Sequence, residues 1–238
     1  MHEYYRSKLP ALKKDMEKYL SPIQGELEKE FHMDSSIIFD SIWDIYEKDM
    51  VENFPYIGGD KASGTGNLTG AYMFVAFGVF ATRNGMTLER WGELSTISYG
   101  RVFEKMPKMM SSLLGWALRH PAFTKKMLRK KDEKNRRNNE ENPGSFLTRT
   151  EDGNEEFPII YNTLQCPLSD FAMKYGYTLF MPYICNLDYV MFEKMKVPFY
   201  RGKTRSDGDD VCDFKFKPGA PINPSWPCHS ADPEDPLK

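Results

Sequence analysis

Apolar residues recur at helical spacing along the first part of the chain. In the segment DSSIIFDSIWDIYEKDMVENF, Ile38, Ile42 and Ile45 fall on one face of a helix. Asp34 stands just before this run and is a candidate N-cap, because its short carboxylate can accept hydrogen bonds from free amides of the first turn. The pattern therefore predicts an amphipathic helix that begins next to Asp34.

Two longer helical patterns follow a loop that is rich in glycine. The segment LTGAYMFVAFGVFATRNG is apolar nearly all round, which predicts a buried helix that ends at Asn84-Gly85. The segment MTLERWGELSTISYGRVFEKMP predicts the next helix, with Thr87 at its start and Pro107 at its end. A further helix begins at SSLLGWALRH.

The character of the pattern changes after Pro143-Gly144. From there the chain offers short runs of the strand and helix types, and the last two strands predict a hairpin across Ser206-Asp207-Gly208. The expected fold class is α+β, with a helical N-terminal part packed on a small antiparallel sheet with short helices. Strands are predicted at SFLTRTED, EFPIIYNTL, VPFYRGKTR and DDVCDFKFK, and short helices at CPLSDFAMKYG and FMPYICNLDYVMFEKM.

No linker interrupts the chain before its proline-rich end. We therefore predict one domain over residues 1–217, with a helical part to about residue 140 and an α+β part over about 144–217. The tail, residues 218–238, holds so many prolines that we expect it to lie extended over the surface or to be disordered. Cys228 lies in this tail and is expected to be incidental.

The charge of the chain argues against nucleic acid and membranes as partners. The net charge is -2, so no global field draws the protein to nucleic acid or to anionic lipid. The charged run Lys125–Asn142 is interrupted by acidic residues and lacks aromatic residues for base stacking. We interpret it as a solvated helix end that runs into a loop.

The expected compartment is the cytoplasm. The N-terminal segment lacks the apolar region of a secretory signal, and no run approaches the ~18 apolar residues of a membrane helix. Thiols stay reduced in the cytoplasm, and 4 cysteines in 238 residues are too few for a disulfide scaffold. The sequence leaves a homo-oligomer open.

Three cysteines lie close to acidic residues in the last third of the chain. Cys185 and Asp188 are three positions apart on a predicted helix, which puts both side chains on one face. Cys166 stands at a strand-to-helix junction, where helix amides can stabilise a thiolate. Cys212 lies on the last strand, and Asp209 lies in the turn before it.

Three interpretations of this cluster stay open on the residues alone. The cysteines can be small buried hydrophobes, with the acids as turn and surface groups. They can hold zinc together with Asp188, although their spacing is not that of a zinc finger. They can supply a thiol nucleophile with an acid as proton shuttle, although none of the 4 histidines adjoins these thiols in sequence.

A candidate anion site lies in the helical part, at Gly64–Gly70, GTGNLTG. Amides at the start of a helix bind phosphate or carboxylate, so this segment either caps its helix through Thr65 or Asn67 or seats a small carboxylate. It is neither a Walker A loop nor a Rossmann fingerprint. Arg201 and Arg205 flank the turn of the last hairpin, either as exposed charges or as bidentate partners of a substrate carboxylate.

The segment from Gln165 to Phe216 resembles the C-terminal half of the L-2-amino-thiazoline-4-carboxylic acid hydrolase family. The shared pattern is a cysteine, a glycine, a second cysteine with an aspartate three positions on, an arginine-containing strand, a Gly-Asp turn and Cys-Asp-Phe. The segments FPYIGGDKASGTGN and AYMFVAFGVFATRNGMTLERWGEL are similar to the N-terminal half of the family, so the resemblance covers roughly residues 50–217. The positions of the shared cysteine–aspartate pattern are occupied by Cys166, Gly176, Cys185, Asp188, Arg205, Gly208, Asp209, Cys212, Asp213 and Phe214.

The resemblance implies a hydrolase that opens a small cyclic amidine or amide-like ring and forms a carbamoyl-cysteine. Cys185 or Cys212 would attack as a thiolate, with Cys166 beside them, or Asp188 would activate water. Asp188 or Asp209 would protonate the leaving atom if burial raises its pKa.

The resemblance also implies a substrate with a carboxylate, held by Arg205 or by the amides at Thr65 and Asn67. No cofactor is required on this account, and zinc held by the three cysteines and Asp188 is the alternative. The alternative function is a non-catalytic sensor that binds a small ligand or a metal in the same cysteine pocket.

Overall fold

The computed structural model describes residues 1–104 and 108–222, apart from the side chains of Lys108, Met110 and Ser111. Its contacts divide the chain into two compact units, residues 1–102 and 103–238. The single domain over residues 1–217 remains a prediction. The predicted helix end at Pro107, and Cys228 with most of the predicted tail, lie outside the described residues.

The first unit is helical, as its apolar pattern predicts. Asp34 caps the third helix, since its carboxylate accepts a hydrogen bond from the Ser36 amide at 2.8 Å. The fourth helix is buried nearly all round and ends at Asn84, before Gly85 with its positive φ of 86°. The helices are α1 (Glu3–Leu20), α2 (Gln24–Phe31), α3 (Ser35–Ile45), α4 (Thr65–Arg83) and α5 (Leu88–Glu104).

The second unit combines helices with one antiparallel sheet, so the predicted α+β class is confirmed. The sheet has the order β1-β2-β4-β3, and its core side packs Ile159, Tyr161 and Phe216 against Leu118 and Tyr189. The helices are α6 (Lys108–Leu118), α7 (Pro121–Glu141), α8 (Pro167–Tyr175) and α9 (Met181–Lys194), and the strands are β1 (Leu147–Glu151), β2 (Ile159–Gln165), β3 (Phe199–Tyr200) and β4 (Cys212–Phe216).

The predicted final hairpin pairs as expected, but its turn is much longer. Tyr200 lies opposite Lys215, and β3 ends there. The chain then runs through a loop, residues 201–211, with one 3₁₀ turn at Arg205–Asp207 and a positive φ of 95° at Gly208. Side chains rather than a facing strand take up the amides of this loop, so a tight hairpin turn does not form.

The charged run is a full helix and not a helix end that runs into a loop. α7 continues to Glu141, with Glu133 bonded to both Arg136 and Arg137 on its exposed side. The opposite side contacts β1, where the Asp132 carboxylate accepts hydrogen bonds from the Thr148 hydroxyl at 2.8 Å and the Thr150 amide at 2.7 Å. Polar bonds to the sheet therefore fix a helix whose sequence looks fully solvated. Among the described helices, none combines the length and apolar character needed to cross a membrane.

Candidate active site around Cys185 and Asp188

Helix α9 carries the predicted cysteine–aspartate pair on one face. Cys185 and Asp188 lie one turn apart, and both side chains are half-buried. The adjoining positions Ile184, Leu187 and Val190 are buried and fix the helix in the unit. The pair therefore lies at the edge of the core, where a carboxylate and a thiol are both partly removed from water.

Arg201 joins the two ends of this pair. Its guanidinium donates to Asp188 Oδ2 at 2.8 Å and to the Cys185 backbone carbonyl at 2.9 Å, and its side chain is only 4 % exposed. Three aromatic rings surround the cation, with centroids 5.5 Å away for Tyr189 and 5.7 Å for both Phe199 and Phe214. The interpretation of Arg201 as an exposed hairpin charge is therefore wrong.

The three predicted thiols lie close enough to one another to interact electrostatically. Cys185 interacts with both Cys166 and Cys212. The Cys185 sulfur lies 3.4 Å from the Ser206 hydroxyl. The Cys212 sulfur accepts a hydrogen bond from the Arg205 amide at 3.3 Å. The structure thus brings the three cysteines to the same region as the Asp188–Arg201 pair.

Burial keeps these cysteines in the neutral thiol form. It raises the pKa of Cys166 to about 12, although the amides of Ser169 and Leu168 in the first turn of α8 act to lower it. Burial likewise raises the pKa of Cys185 against the opposing influence of the Arg201 cation. The pKa of Cys212 is raised for the same reason. None of the three is therefore a preformed thiolate at neutral pH.

The environment of Asp188 raises the pKa of its carboxyl group. Burial raises the pKa of Asp188, and the Arg201 charge and hydrogen bond oppose that rise. Burial alone would lower the pKa of Arg201, but the charges of Asp188 and its neighbours raise it overall. The carboxyl group keeps 35 % of its side chain exposed, so a small molecule can reach it. A reachable carboxyl with a raised pKa is suited to carry a proton in a reaction.

Four consecutive amides of the loop after β3 bind side chains from the segment 209–213. Asp213 accepts from the Gly202 amide at 2.8 Å and from the Lys203 amide at 2.6 Å. Asp209 accepts from the Thr204 amide at 2.8 Å. With the contact of Cys212 to the next amide, these bonds fix the loop that carries Arg201 at one end and Ser206 further along.

Arg205 and Asp209, two further predicted site residues, both lie in the loop after β3 and make different contacts. The guanidinium of Arg205 donates to the carbonyl of Leu164 at 2.8 Å and to that of Asp210 at 3.1 Å, with 24 % of the side chain exposed. Arg205 therefore ties the loop to β2, and its Nη2 also lies 3.7 Å from the Asp170 carboxylate in the first turn of α8. Asp209 is half-buried, and its carboxylate closes the loop through the Thr204 amide.

Thr65 and Asn67 belong to the first unit, at the start of α4. The Thr65 hydroxyl donates to the Gly59 carbonyl at 2.8 Å, and the side chain is buried. Asp60 in the preceding loop accepts from the Tyr4 hydroxyl at 2.7 Å, so α1 fixes this glycine-rich loop. The side chain of Thr65 is thus used inside the fold, whereas Asn67 is exposed.

The zinc alternative gains no support from the geometry. Across the residues whose positions the structure describes, no three His, Cys, Asp or Glu side chains are grouped in a way that would hold a metal ion. Asp188 instead bonds to Arg201, and Cys212 faces a backbone amide.

Comparison with known proteins places this chain in a family. The model of the L-2-amino-thiazoline-4-carboxylic acid hydrolase family matches residues 99–216, which is about half of the chain and includes α9, the loop after β3 and β4. The chain belongs to this family. No curated protein and no solved structure matches it.

All three thiols, Asp188 and Arg205 lie within the segment that matches the L-2-amino-thiazoline-4-carboxylic acid hydrolase family, whereas Thr65 and Asn67 lie outside it. The helical resemblance upstream of residue 99 is therefore not part of the match. Because the matched segment is nearly all in the second unit, the chemistry of this family is best sought there.

Arg201, Ser206 and Asp213, all in the hydrolase-family segment, make contacts that were not predicted from the sequence. Arg201 gives no sign of burial in sequence, since its aromatic neighbours come from different elements. Ser206 reaches Cys185 only because the loop folds back. Asp213 carries a weak signal, since it follows Cys212 directly in the Cys-Asp-Phe pattern.

The hydrogen bonds from Asp213 to the loop after β3 should contribute to the stability of the second unit. Asp213→Asn should lower the free energy of unfolding by about 1–2 kcal/mol, because two buried hydrogen bonds lose their charge assistance and Lys215 loses its partner at 2.6 Å. Asp210→Asn is the matched control, since Asp210 only pairs on the surface with Lys203. Chemical denaturation measures both, and equal effects of the two substitutions would contradict the role of Asp213.

The raised thiol pKa values predict a loss of stability in alkali. In the unfolded chain a thiol ionises near pH ~8.5, whereas the folded Cys166 keeps its proton up to about 12. Between these values the folded state binds more protons, so the free energy of unfolding falls as pH rises, by up to about 1.4 kcal/mol per pH unit for each such thiol. Denaturant titrations at pH 8, 9 and 10 should show a smaller fall for Cys166→Ala. An identical pH dependence in both proteins would contradict the burial of this thiol.

Proposed function

We propose that the second unit is a hydrolase that opens a small cyclic amidine or amide-like ring, with Asp188 as the acid–base group. The observation that carries the proposal is the Asp188 carboxyl: its side chain is 35 % exposed, its pKa is raised, and the buried Arg201 holds it within the segment of the family match. The substrate class follows the name of the family, L-2-amino-thiazoline-4-carboxylate.

The reaction adds one water to the ring carbon between nitrogen and sulfur. A bond forms between the water oxygen and this carbon, and the C–S or the C–N bond of the ring then breaks. Water gives up two protons. With C–S cleavage one goes to the ring nitrogen and one to the departing sulfur, and with C–N cleavage both go to the departing nitrogen; the product is a carbamoyl-cysteine. One carboxyl group can take a proton from the attacking water and return it to the departing atom, and such general acid–base catalysis is worth about 10²- to 10⁴-fold in rate.

Arg201 would orient Asp188 for both proton transfers. It binds one carboxylate oxygen, Oδ2, in a fixed direction, so that the carboxyl cannot rotate away from the site. Because Arg201 also binds the Cys185 carbonyl, the carboxyl is tied to the helix that carries it. A guanidinium in an aromatic, water-poor surrounding is a strong positive charge for an anion formed nearby.

Water is a better candidate for the nucleophile than a cysteine. A neutral, half-buried thiol attacks poorly, and burial raises the pKa of all three. We assign Cys185 to the wall of the site, with its thiol hydrogen-bonded to Ser206. Cys166 and Cys212 would then fix the start of α8 and the loop after β3.

Arg205 is our candidate for binding the substrate carboxylate. It adjoins Ser206, and 24 % of its side chain is exposed beside the cysteines. Its Nη2 lies 3.7 Å from the Asp170 carboxylate, and a substrate carboxylate would bind the exposed part of the same guanidinium.

The test is turnover of L-2-amino-thiazoline-4-carboxylate by the full chain under reducing conditions. Mass spectrometry should show the gain of one water, and a thiol reagent would then identify the bond, because only C–S cleavage releases a free thiol. If calorimetry shows that this compound binds without turnover, the hydrolase proposal fails and the sensor function takes its place. A metal assay on the same sample, with and without added zinc, tests the zinc alternative.

A further inference from the structure

The exposed side of α7 carries a basic groove that lies away from the thiol region. Its lining residues are Ala122, Lys125, Lys126, Arg129, Lys130, Glu133 and Asp152. Lys125 donates to the Asp152 carbonyl and Arg129 to its carboxylate, both at 2.7 Å. Lys126 and Lys130 are exposed, and within the described part of the chain no carboxylate pairs with either of them. The groove therefore presents uncompensated positive charge.

The helix face beside this groove is apolar and open. Phe123 is 47% exposed and Met127 is 52% exposed. Trp116 contacts Phe123 edge to face, with ring centroids 5.2 Å apart, and is itself 41% exposed. Positive charge next to exposed aromatic side chains suits a segment that combines acidic residues with an aromatic one.

The last strand, β4, ends at the same end of the sheet as β1. Asp152 follows the end of β1, where Glu151 lies opposite Ile160, and β4 ends where Phe216 lies opposite Ile159. β1 and β4 flank β2, so these two ends are about 10 Å apart at the usual strand spacing. Lys217 lies at this end of the sheet as well, because its ammonium is 3.6 Å from the Glu156 carboxylate in the β1–β2 connection.

The sequence beyond Ile222 has the matching chemistry. Residues 223–238, NPSWPCHSADPEDPLK, contain Trp226 and the three acidic residues Asp232, Glu234 and Asp235. An extended chain covers about 3.3 Å per residue, so the segment between Lys217 and Asp232 can span about 50 Å. The distance to α7 is well within this reach.

We propose that the acidic segment 223–238 binds to the basic groove of α7 in the same chain. Asp232, Glu234 and Asp235 would pair with Lys126 and Lys130, and Trp226 would pack on the exposed face at Phe123 and Met127. This contact is independent of ring opening, since it uses no residue of the Asp188 site.

Zero-length carbodiimide crosslinking followed by peptide mass spectrometry tests this contact directly. Crosslinks from Asp232, Glu234 or Asp235 should concentrate on Lys126 and Lys130, with Lys174 and Lys196 as exposed control lysines of the second unit. In the Asp232→Lys, Asp235→Lys double variant, which keeps Glu234 and both lysines as reacting groups, the yield of crosslinks from Glu234 to Lys126 and Lys130 should fall about tenfold. It should also fall at ~1 M salt, where the screening length is ~3 Å.

Exchanging the charges of the segment and the groove provides a second test of the proposal. Combining Asp232→Lys, Glu234→Lys and Asp235→Lys with Lys126→Glu and Lys130→Glu should restore crosslinks, now between amines of the segment and carboxylates at positions 126 and 130. Even labelling of Lys126, Lys130, Lys174 and Lys196, or an undiminished yield in the double variant, would overturn the proposal. In a mixture of isotopically light and heavy protein, crosslinks that join light to heavy chains would overturn the same-chain assignment.

Discussion

Replacing Arg201 by methionine should lower the free energy of unfolding of the second unit by about 3 kcal/mol. Removing one partner of a buried ion pair leaves the other charge without compensation, which typically costs about 3–5 kcal/mol. The lower end applies, because Asp188 is 35 % exposed and can regain water. The Cys185 carbonyl would lose its donor as well. Native-state hydrogen exchange of α9 amides measures this free energy for the second unit by itself.

Arg201→Lys is the matched control for this prediction. Lysine keeps the charge but cannot bind the Asp188 carboxylate and the Cys185 carbonyl with one planar fork, so we expect a smaller loss than with methionine. Adding Asp188→Asn to Arg201→Met should recover part of the stability, because no uncompensated carboxylate remains. Unchanged exchange in Arg201→Met would contradict the geometry of the pair.

Asp188→Asn should reduce kcat/KM for ring opening by about 10²- to 10⁴-fold, the usual worth of a general acid–base group. Asparagine has nearly the same shape and can still accept a hydrogen bond from Arg201, so the fold should survive. Steady-state rates with L-2-amino-thiazoline-4-carboxylate measure the effect. Asp210→Asn is the control on the neighbouring loop, and it should leave the rate nearly unchanged because Asp210 lies on the surface.

The raised pKa of Asp188 also predicts the pH dependence of the wild-type rate. A carboxylate that acts as a base loses activity when it binds a proton, so kcat/KM should fall as pH decreases through its pKa. Burial raises that pKa, so the fall should begin above the range of an ordinary aspartate, whose pKa is about 3.9. A rate that stays constant down to the ordinary pKa would contradict Asp188 as the base.

Local patterns were sufficient to predict most elements of the fold. The cap at Asp34 and the end of α4 at Asn84-Gly85 depend on residues next to each other in sequence, and both are confirmed. The helix over the charged run was harder to predict, because the bonds of Asp132 that hold it to β1 join residues 16 and 18 positions apart. The spacing of residues within the run does not indicate such bonds.

In the candidate site, too, local contacts could be predicted from the sequence and contacts between distant elements could not. The spacing of Cys185 and Asp188 on one helix predicts their common face, and the structure has them there. The burial of Arg201 could not be predicted, since it requires rings from α9, β3 and β4 to meet around one guanidinium. The long loop after β3 also escaped prediction, because its amides are bonded by side chains and not by a strand.

The relative rates of Asp188→Asn and Cys185→Ser test the central claim most directly. If Asp188 carries the proton and water attacks, kcat/KM should fall about 10²- to 10⁴-fold in Asp188→Asn and less than about tenfold in Cys185→Ser, which keeps a small hydroxyl in the wall. Loss of activity in Cys185→Ser, with Asp188→Asn still active, would instead make the thiol the nucleophile and contradict the account.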